Sequence, residues 1–383
     1  MNLSSTPIQF SELATAGGLL IGVAQLNAEK SLNALTLEMI DLLSTQMQIW
    51  ANDPQIALVM LEGAGERAFC AGADLHRMHA ASIAHRASDA RDDIRANSYA
   101  LNFFTREYRL DYVIHTYPKP VLCWGQGVIM GGGVGLMVGA SHRVVTEQAK
   151  VAMPEINIGL YADVGGSWFL ARAPGETGIF LALTAAQLTA SDALFAGFAD
   201  YSITHAKKAA VMHTLTQQAW SNDATRNACE LSGLLQSYAE PSLPHGPLRQ
   251  HFDLIQTLCR HDDPNQLVAA ITSLSSDDPW LSRAAATLTA GSPTTAALSI
   301  ALQRRLKLCS LAEVFRAELV ASLTCAMRPD LSEGIRALLI DKDRTPRWQP
   351  ATIAAVTPAW IDGFFASPWA SAAHPLADLG VTV

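Results

Sequence analysis

"PVLCWGQGVIMGGGVGLMVGAS", residues 120–141, carries no charged side chain. A run of this length could cross a bilayer as one helix. Its seven glycines argue against that, because Gly131–Gly133 fall together in the middle and weaken any continuous helix. The reading that fits is a buried strand, PVLCWGQGVIM, handing over to a short glycine-rich helix, GGGVGLMVGAS. No membrane span is expected.

The same hand-over recurs on both sides. GLLIGVAQLN (18–27) reads as a strand. TLEMIDLLSTQMQIW then places Ile40, Leu43, Met47 and Trp50 at helical spacing, with Thr36 as N-cap. IALVMLEGAG (56–65) is a strand, residues 89–117 form a long helical pattern, and HRVVTEQAKVAM returns as a strand. Alternating strands and helices predict an α/β layered fold. Beyond about residue 200 the strand signals fade into helical segments, with YAEPSLPHGP (238–247) as a loop. The chain therefore divides into a core over 1–200 and a mostly helical portion over 201–383.

Composition bounds the function. Of 383 residues, 49% are hydrophobic and 16% charged, as in a well-buried globular enzyme. A formal net charge of −8 excludes the basic face of a nucleic-acid binder, while a few local cations could still hold a small anion. Six scattered cysteines without a CxxC pair read as reduced thiols of a cytoplasmic protein. MNLSSTPIQF has neither the basic nor the apolar region of a secretory signal. His76, His79 and His85 are close in sequence, but no cysteine or acidic cluster joins them at ligand spacing, so no metal is expected.

Four stretches could carry chemistry. "AFCAGADL" (68–75) follows an apolar strand and puts small residues where backbone amides can approach a ligand; a tight turn is the plainer reading. "MGGGVGL" (130–136) opens a helix whose first amides suit an oxyanion, although Gly131, Gly135 and Gly139 could equally serve close helix packing. The glycines fail the dinucleotide spacing, since Val138 and Met130 occupy the positions where a third glycine is required. No GxSxG nucleophile elbow is present. Glu107 interrupts an apolar helical stripe of Phe103, Leu110 and Ile114, so it is either salt-bridged or functional. Finally, "MPEINIGLYADVGGSWFLAR" (153–172) sets Glu155 and Asp163 in an apolar, glycine-rich run, where an unpaired carboxylate is costly. Each could instead cap a helix, Asp163 one starting near Val164.

Together these segments resemble the crotonase (enoyl-CoA hydratase/isomerase) superfamily. "LNAEKSLNALT" is similar to its entry segment, "AFCAGADL" and "MGGGVGL" to its two oxyanion segments, and "MPEINIGLYADVGG" to the segment bearing its acids. The resemblance implies a spiral of repeated ββα units and an acyl-CoA substrate. It also implies a thioester oxygen held by the amides of Ala73 and Gly132. The CoA part would lie along Lys30, Ser31, Leu32, Ala71 and Asp74. Where hydratases of the family read GGGCEL this chain has Gly135, so one of a hydratase's two carboxylates is missing. The 3-hydroxyisobutyryl-CoA hydrolase branch of the superfamily resembles the chain more closely. Its pattern places acids at Glu155 and Asp163 and a substrate-site glutamate at Glu107, and "EGIRALLIDKDRTPRWQP" (333–350) is similar to its C-terminal signature. Ala162 stands where that branch commonly has proline. The resemblance implies thioester hydrolysis with Glu155 and Asp163 catalytic, Glu107 and Gly132 on the substrate, no cofactor and no metal. Family relatives form oligomers, which makes a homo-oligomer an expectation too.

Overall fold

The computed structural model describes residues 6–381. The chain gathers into two compact units, each built from three segments. One takes the segment ending at Ala73, Leu110–Val151 and Gln187–Gln250; the other takes Asp74–Arg109, Ala152–Ala186 and everything from His251 on. The units are therefore interleaved in sequence rather than divided at a single point near residue 200.

The first unit holds the sheets. Its strands are β1 (Ile8–Ala14), β2 (Leu20–Leu26), β3 (Ile56–Gly63), β4 (Ala68–Cys70), β5 (Val121–Gly125), β6 (Val128–Met130), β7 (His142–Val145), β8 (Lys150–Ala152, which ends one residue past the unit) and β9 (Tyr201–Ser202). A six-stranded sheet runs β1-β2-β3-β5-β7-β9, parallel except for the β1–β2 hairpin, and a smaller sheet runs β4-β6-β8. Consecutive strands β3 and β4, β5 and β6, and β7 and β8 each send their first member to the large sheet and their second to the small one. This is the expected ββα spiral.

Two readings need correction here. PVLCWGQGVIM and HRVVTEQAKVAM are each two strands, not one. In the first, the break falls at Gly127, whose φ of +57° is a conformation glycine adopts freely and where a Cβ would strike the Arg67 carbonyl. The helical pattern over 89–117 also shortens to Ser98–His115. Asp93 caps a separate 3-10 turn through the Arg95 N–H (2.9 Å), and the Asn97 side chain accepts from Ala100 N–H (3.1 Å). Short polar side chains that bond their own backbone compete with helix, and here they win. The 120–141 run ends in a helix of only eight residues, Gly132–Gly139, and among the described residues no helix is long and apolar enough to span a membrane.

The core of the first unit packs Ile21, Leu58, Met60, Leu122, Trp124 and Val144 from the large sheet against Val211 and Leu215, and Leu231 and Leu235. These pairs sit at i,i+4 on helices Lys208–Gln217 and Ala224–Tyr238, which turns one stripe of each helix onto the sheet.

The second unit is helical. Asp263, Asp278, Ser292 and Thr357 each cap a helix with their side chain and are each followed by proline at the first helical position. Proline loses nothing there, because that N–H has no intrahelical acceptor. The Leu311–Met327 helix opens with a capping box between Ser310 and Glu313 and is buried on nearly every face. Even its polar residues Glu318 and Ser322 are wholly buried, which demands partners for both.

Candidate active site

Two groups of predicted residues take shape, one in each unit. In the first unit, the backbones after β4 and β6 abut. A Cβ on Gly72 (φ +95°) would come within 3.0 Å of the Met130 carbonyl and 3.6 Å of the Gly132 nitrogen, and one on Gly133 would land on the Cys70 carbonyl. Only glycine permits this approach. Gly131 (φ +52°) turns the chain into the Gly132–Gly139 helix, so Gly132 N–H lies in the first turn, where amides lack an intrahelical acceptor. The Ala73 loop is fixed from the other side. Leu35 N–H donates to the Gly72 carbonyl (2.7 Å), Ala71 N–H donates to the Leu32 carbonyl (3.0 Å), and Ala73 bridges Leu35. Gly72 and Gly133 thus serve backbone apposition, and Gly131 the turn. Gly139 faces Ile114 and His115 at packing distance, so it fits the plainer reading.

Lys30 and Ser31 are exposed on a 3-10 turn, and Leu32 is half-buried with φ +55°. Sequence reasoning missed the residue that shapes this turn. Asn33 is buried, donates to the Ala64 and Ala68 carbonyls (3.1 and 3.0 Å), and accepts from Ala28 N–H at 2.9 Å. Asp74, half-buried, caps the Leu75–Arg86 helix through His76 N–H.

In the second unit, Glu107, Glu155 and Asp163 are 2%, 5% and 4% exposed, too little for water to solvate three charges. Glu155 opens a 3-10 turn, Glu155–Ile158, that Gly159 closes at φ +72°. Its Oε2 and Oε1 of Glu107 have no hydrogen-bond partner among the described residues. Asp163 is better served, since Tyr108 OH donates to its Oδ2 at 2.6 Å. Burial pushes the carboxyls of Glu107 and Glu155 well above the ordinary range, with Asp163 reinforcing both. Asp163 rises to about 6, because burial outweighs the Tyr108 hydrogen bond that pulls it down. Near neutral pH the three share fewer than three negative charges, and at least one is poised to exchange a proton.

Neither acid is a helix cap. No side-chain cap bond comes from Glu155, and the helix after Asp163 begins at Gly166 with Gly165 at its N-cap position. The capping carboxylate is Glu318, whose two oxygens accept from Gly165 N–H (2.8 Å) and Ser167 N–H (2.9 Å). It braces a strained turn, because Val164 sits at φ +52°, and a β-branched residue held there costs about 1–3 kcal/mol. Burial lifts the Glu318 carboxyl to about 8 against the Ser167 hydroxyl and those amides.

Further along the same helix, Ser322 Oγ lies 2.6 Å from Tyr108 O and 2.8 Å from Tyr161 O, while Tyr161 OH reaches the Glu318 carbonyl at 2.8 Å. The Glu155 turn is held by the 333–350 region and its approach. A Cβ on Gly334 would come 2.5 Å from Ile158 Cα, one on Gly159 would come 2.5 Å from the Asp330 backbone, and Ser292 N–H donates to the Ile156 carbonyl (3.2 Å). Asp330 in turn accepts from Ser292 OH (2.7 Å) and Gln349 N–H (2.8 Å).

Tyr108, Tyr161, Glu318 and Ser322 were not anticipated from sequence. Glu318 does carry the signal that marked Glu107, an acid interrupting an apolar helical stripe, here of Val314, Phe315 and Ala321, and Ser322 follows it by one turn.

Comparison with known proteins agrees with this architecture. Residues 21–365 match the sequence model of the family described as "Enoyl-CoA hydratase/isomerase". A protein named "3-hydroxyisobutyryl-CoA hydrolase, mitochondrial" from Danio rerio is 36% identical over 350 residues, 90% of this chain and 87% of its own. The protein of the same name from Homo sapiens is 35% identical over 353 residues, covering 90% and 86%. Among solved structures, an enoyl-CoA hydratase from Rhodobacter sphaeroides 2.4.1 superposes with a TM-score of 0.80 at 32% identity, covering 95% of this chain and 98% of that one. A carnitinyl-CoA dehydratase from Mycobacterium thermoresistibile gives 0.81 at 32%, covering 95% and 97%. The crotonase fold expected from sequence is therefore established. The cytoplasmic expectation is overturned, since these relatives are named mitochondrial. Unpaired cysteines report a reducing compartment and do not tell one such compartment from another. Met1 to Ser5, part of the stretch read for a signal, lie outside the described residues.

Proposed function

Because the chain belongs to the enoyl-CoA hydratase/isomerase family, we propose that it hydrolyses a short 3-hydroxyacyl-CoA thioester, foremost 3-hydroxyisobutyryl-CoA, to the free hydroxy acid and CoA, as a step of valine breakdown. The observation that carries this reading is Glu155, a buried carboxyl with an unbonded oxygen and a raised proton affinity on a braced turn.

Hydrolysis builds negative charge on the thioester oxygen, and the amides of Ala73 and Gly132 take that oxygen; one such donor is worth about 3 kcal/mol in the transition state. Glu155 acts on the carbonyl carbon. As nucleophile it adds to the carbon as the C–S bond breaks, CoA thiolate leaves and takes up a proton, and water then cleaves the anhydride to the free acid and restores Glu155. As general base it takes a proton from water, whose oxygen adds to the same carbon before the C–S bond breaks and the proton passes to the thiolate. Asp163 accepts the substrate hydroxyl, and Glu107 anchors the polar end of the acyl group. Lys30, Ser31, Leu32, Ala71 and Asp74 line the CoA moiety. The reaction in this form uses no metal or organic cofactor.

The test is release of free CoA thiol from 3-hydroxyisobutyryl-CoA, beside loss of the crotonyl-CoA double bond, for wild type and Glu155→Gln. Thiol release by wild type that falls about a thousandfold in the variant supports the reading. Consumption of crotonyl-CoA without thiol would instead give the activity named for the Rhodobacter structure, despite Gly135. Binding of both esters with no turnover would leave only an acyl-CoA-binding protein. Single turnover in oxygen-18 water, with hydroxylamine trapping beside it, probes the two routes: label or a hydroxamate on Glu155 marks the anhydride, and their absence counts against it.

A further inference from the structure

Three hydroxyls stand in line behind Asp163. Tyr108 OH touches Asp163 Oδ2 (2.6 Å), Ser322 Oγ touches Tyr108 (2.6 Å), Tyr161 touches Ser322 (2.8 Å), and the Glu318 carbonyl closes the line at 2.8 Å. Each hydroxyl has one proton to give and lone pairs to receive. With Asp163 ionised, the bonds point toward it: Tyr161 donates to Ser322, Ser322 to Tyr108, and Tyr108 to the carboxylate. With Asp163 protonated, they point away: Asp163 donates to Tyr108, Tyr108 to Ser322, Ser322 to Tyr161, and Tyr161 to the Glu318 carbonyl. No heavy atom need move and no proton leaves its oxygen; three O–H bonds rotate. The carbonyl at the far end makes both directions complete, because it accepts the last proton in one and needs none in the other.

We infer that Tyr108, Ser322 and Tyr161 are positioning residues, a reversible hydroxyl chain that holds the Asp163 carboxyl in one geometry through both its protonation states. The inference rests on the role given to Asp163 above. A fixed donor would satisfy only the carboxylate, and a fixed acceptor only the acid, so either would leave a buried polar atom unpaired for half of a proton-exchange cycle. The other titratable groups acting on Asp163 are Glu107 on the 98–115 helix, Glu155 on the segment leading to it, and Glu318 and Cys325 on the 311–327 helix. None of these is a cation that would fix Asp163 in its charged form. The hydroxyl chain supports that form, with a lesser contribution from the backbone amide of Asp163 itself.

The experiment follows thiol release from 3-hydroxyisobutyryl-CoA from about pH 5 to about pH 9 in wild type, Tyr108→Phe, Ser322→Ala and the double variant. In parallel, carboxyl carbon-13 spectra of aspartate-labelled protein are titrated, with the Asp163 signal assigned by its loss in Asp163→Asn. Removing the direct donor should move the Asp163 titration up by about one pH unit. Ser322→Ala should move it down, because Tyr108 O–H then has no acceptor when Asp163 carries its proton, and the double variant should match Tyr108→Phe; an upward move in Ser322→Ala marks a one-way donor and overturns the chain. The acid limb of activity should follow. A merely structural role lowers activity without displacing either titration, and an undisplaced Asp163 signal in the folded variants overturns the chain. If Tyr108→Phe fails to fold, the Ser322→Ala titration decides alone. If Asp163→Asn releases thiol like wild type, the site assignment itself falls and the chain's purpose with it; loss of activity in Asp163→Asn with unmoved titrations sinks the chain only.

Discussion

The amide loops at Ala73 and Gly132 and the acid turns at Glu155 and Asp163 are built by opposite means. The loops are backbone fitted to backbone, with glycine at each point of closest approach and anchors such as Asn33 to Ala68 that span 35 residues. The turns are side chains in an apolar interior, one of them strained at Val164. Their braces come from 153 residues away in the case of Glu318 to Gly165, and 214 in that of Ser322 to Tyr108. A region made of backbone tolerates no added atom; a region made of buried charge tolerates no lost partner.

The sharpest way to break the contrast is Gly133→Ala. Its methyl group would collide with a main-chain carbonyl that cannot swing aside. We expect thiol release to fall by about a hundredfold or more as the amides shift, well beyond what the accompanying loss in urea midpoint explains. Activity close to wild type would show that the loops are not built by close approach. Next comes Glu318→Ala, which strips two buried amides of their acceptor. Urea unfolding should show a loss of about 3 kcal/mol, with activity falling because the Asp163 turn is unbraced.

Glu318→Gln tests the same turn through pH. A carboxyl raised to about 8 in the folded state and ordinary when unfolded binds its proton more tightly folded. Its contribution is therefore intact below its unfolded pKa and is lost as pH rises toward 8. From about pH 6.5 to about 8 this lowers unfolding free energy by about 2 kcal/mol, and Glu318→Gln should remove that part of the slope. Half-buried His115, held down at about 4, acts in the opposite sense and mostly below this window. Chemical denaturation at stepped pH measures it, and an unchanged slope in the variant would contradict the assignment. The smallest effect belongs to Ser167→Ala. Glu318 uses the Ser167 amide, and the buried Ser167 hydroxyl also lies close enough to pull the Glu318 carboxyl down, though at a geometry short of a full hydrogen bond. Thermal melting should find the variant within about 1 kcal/mol of wild type, with the Glu318 titration moved up because the hydroxyl no longer supports its charged form.

The two regions also differ in how much of them can be read before folding. Glycines crowded after an apolar strand advertise a close backbone approach, because that is a local demand written where it is met. Glu107, Glu155 and Asp163 were visible as acids out of place. The strand breaks at Gly127 and after β7 were not visible, because an apolar run looks the same whether it feeds one sheet or two. Nor were the braces, because a residue such as Ser322 is unremarkable until the chain brings it against Tyr108. Sequence placed Asp163 as a possible helix cap, and local propensity allowed it. The fold gave the capping task to Glu318 and left Asp163 free for Tyr108.

The interleaving of the two units has a consequence for how the molecule is made. The segments of the first unit have all left the ribosome once Gln250 emerges. The turn at Asp163 is not braced until Glu318 follows, and the 153 residues from Gly165 to Glu318 take roughly ten to thirty seconds at ordinary synthesis speeds. Through that interval an apolar segment bearing two acids lacks the carboxylate that holds Val164 in its folded conformation, so the exposure of this part of the chain is greatest during synthesis.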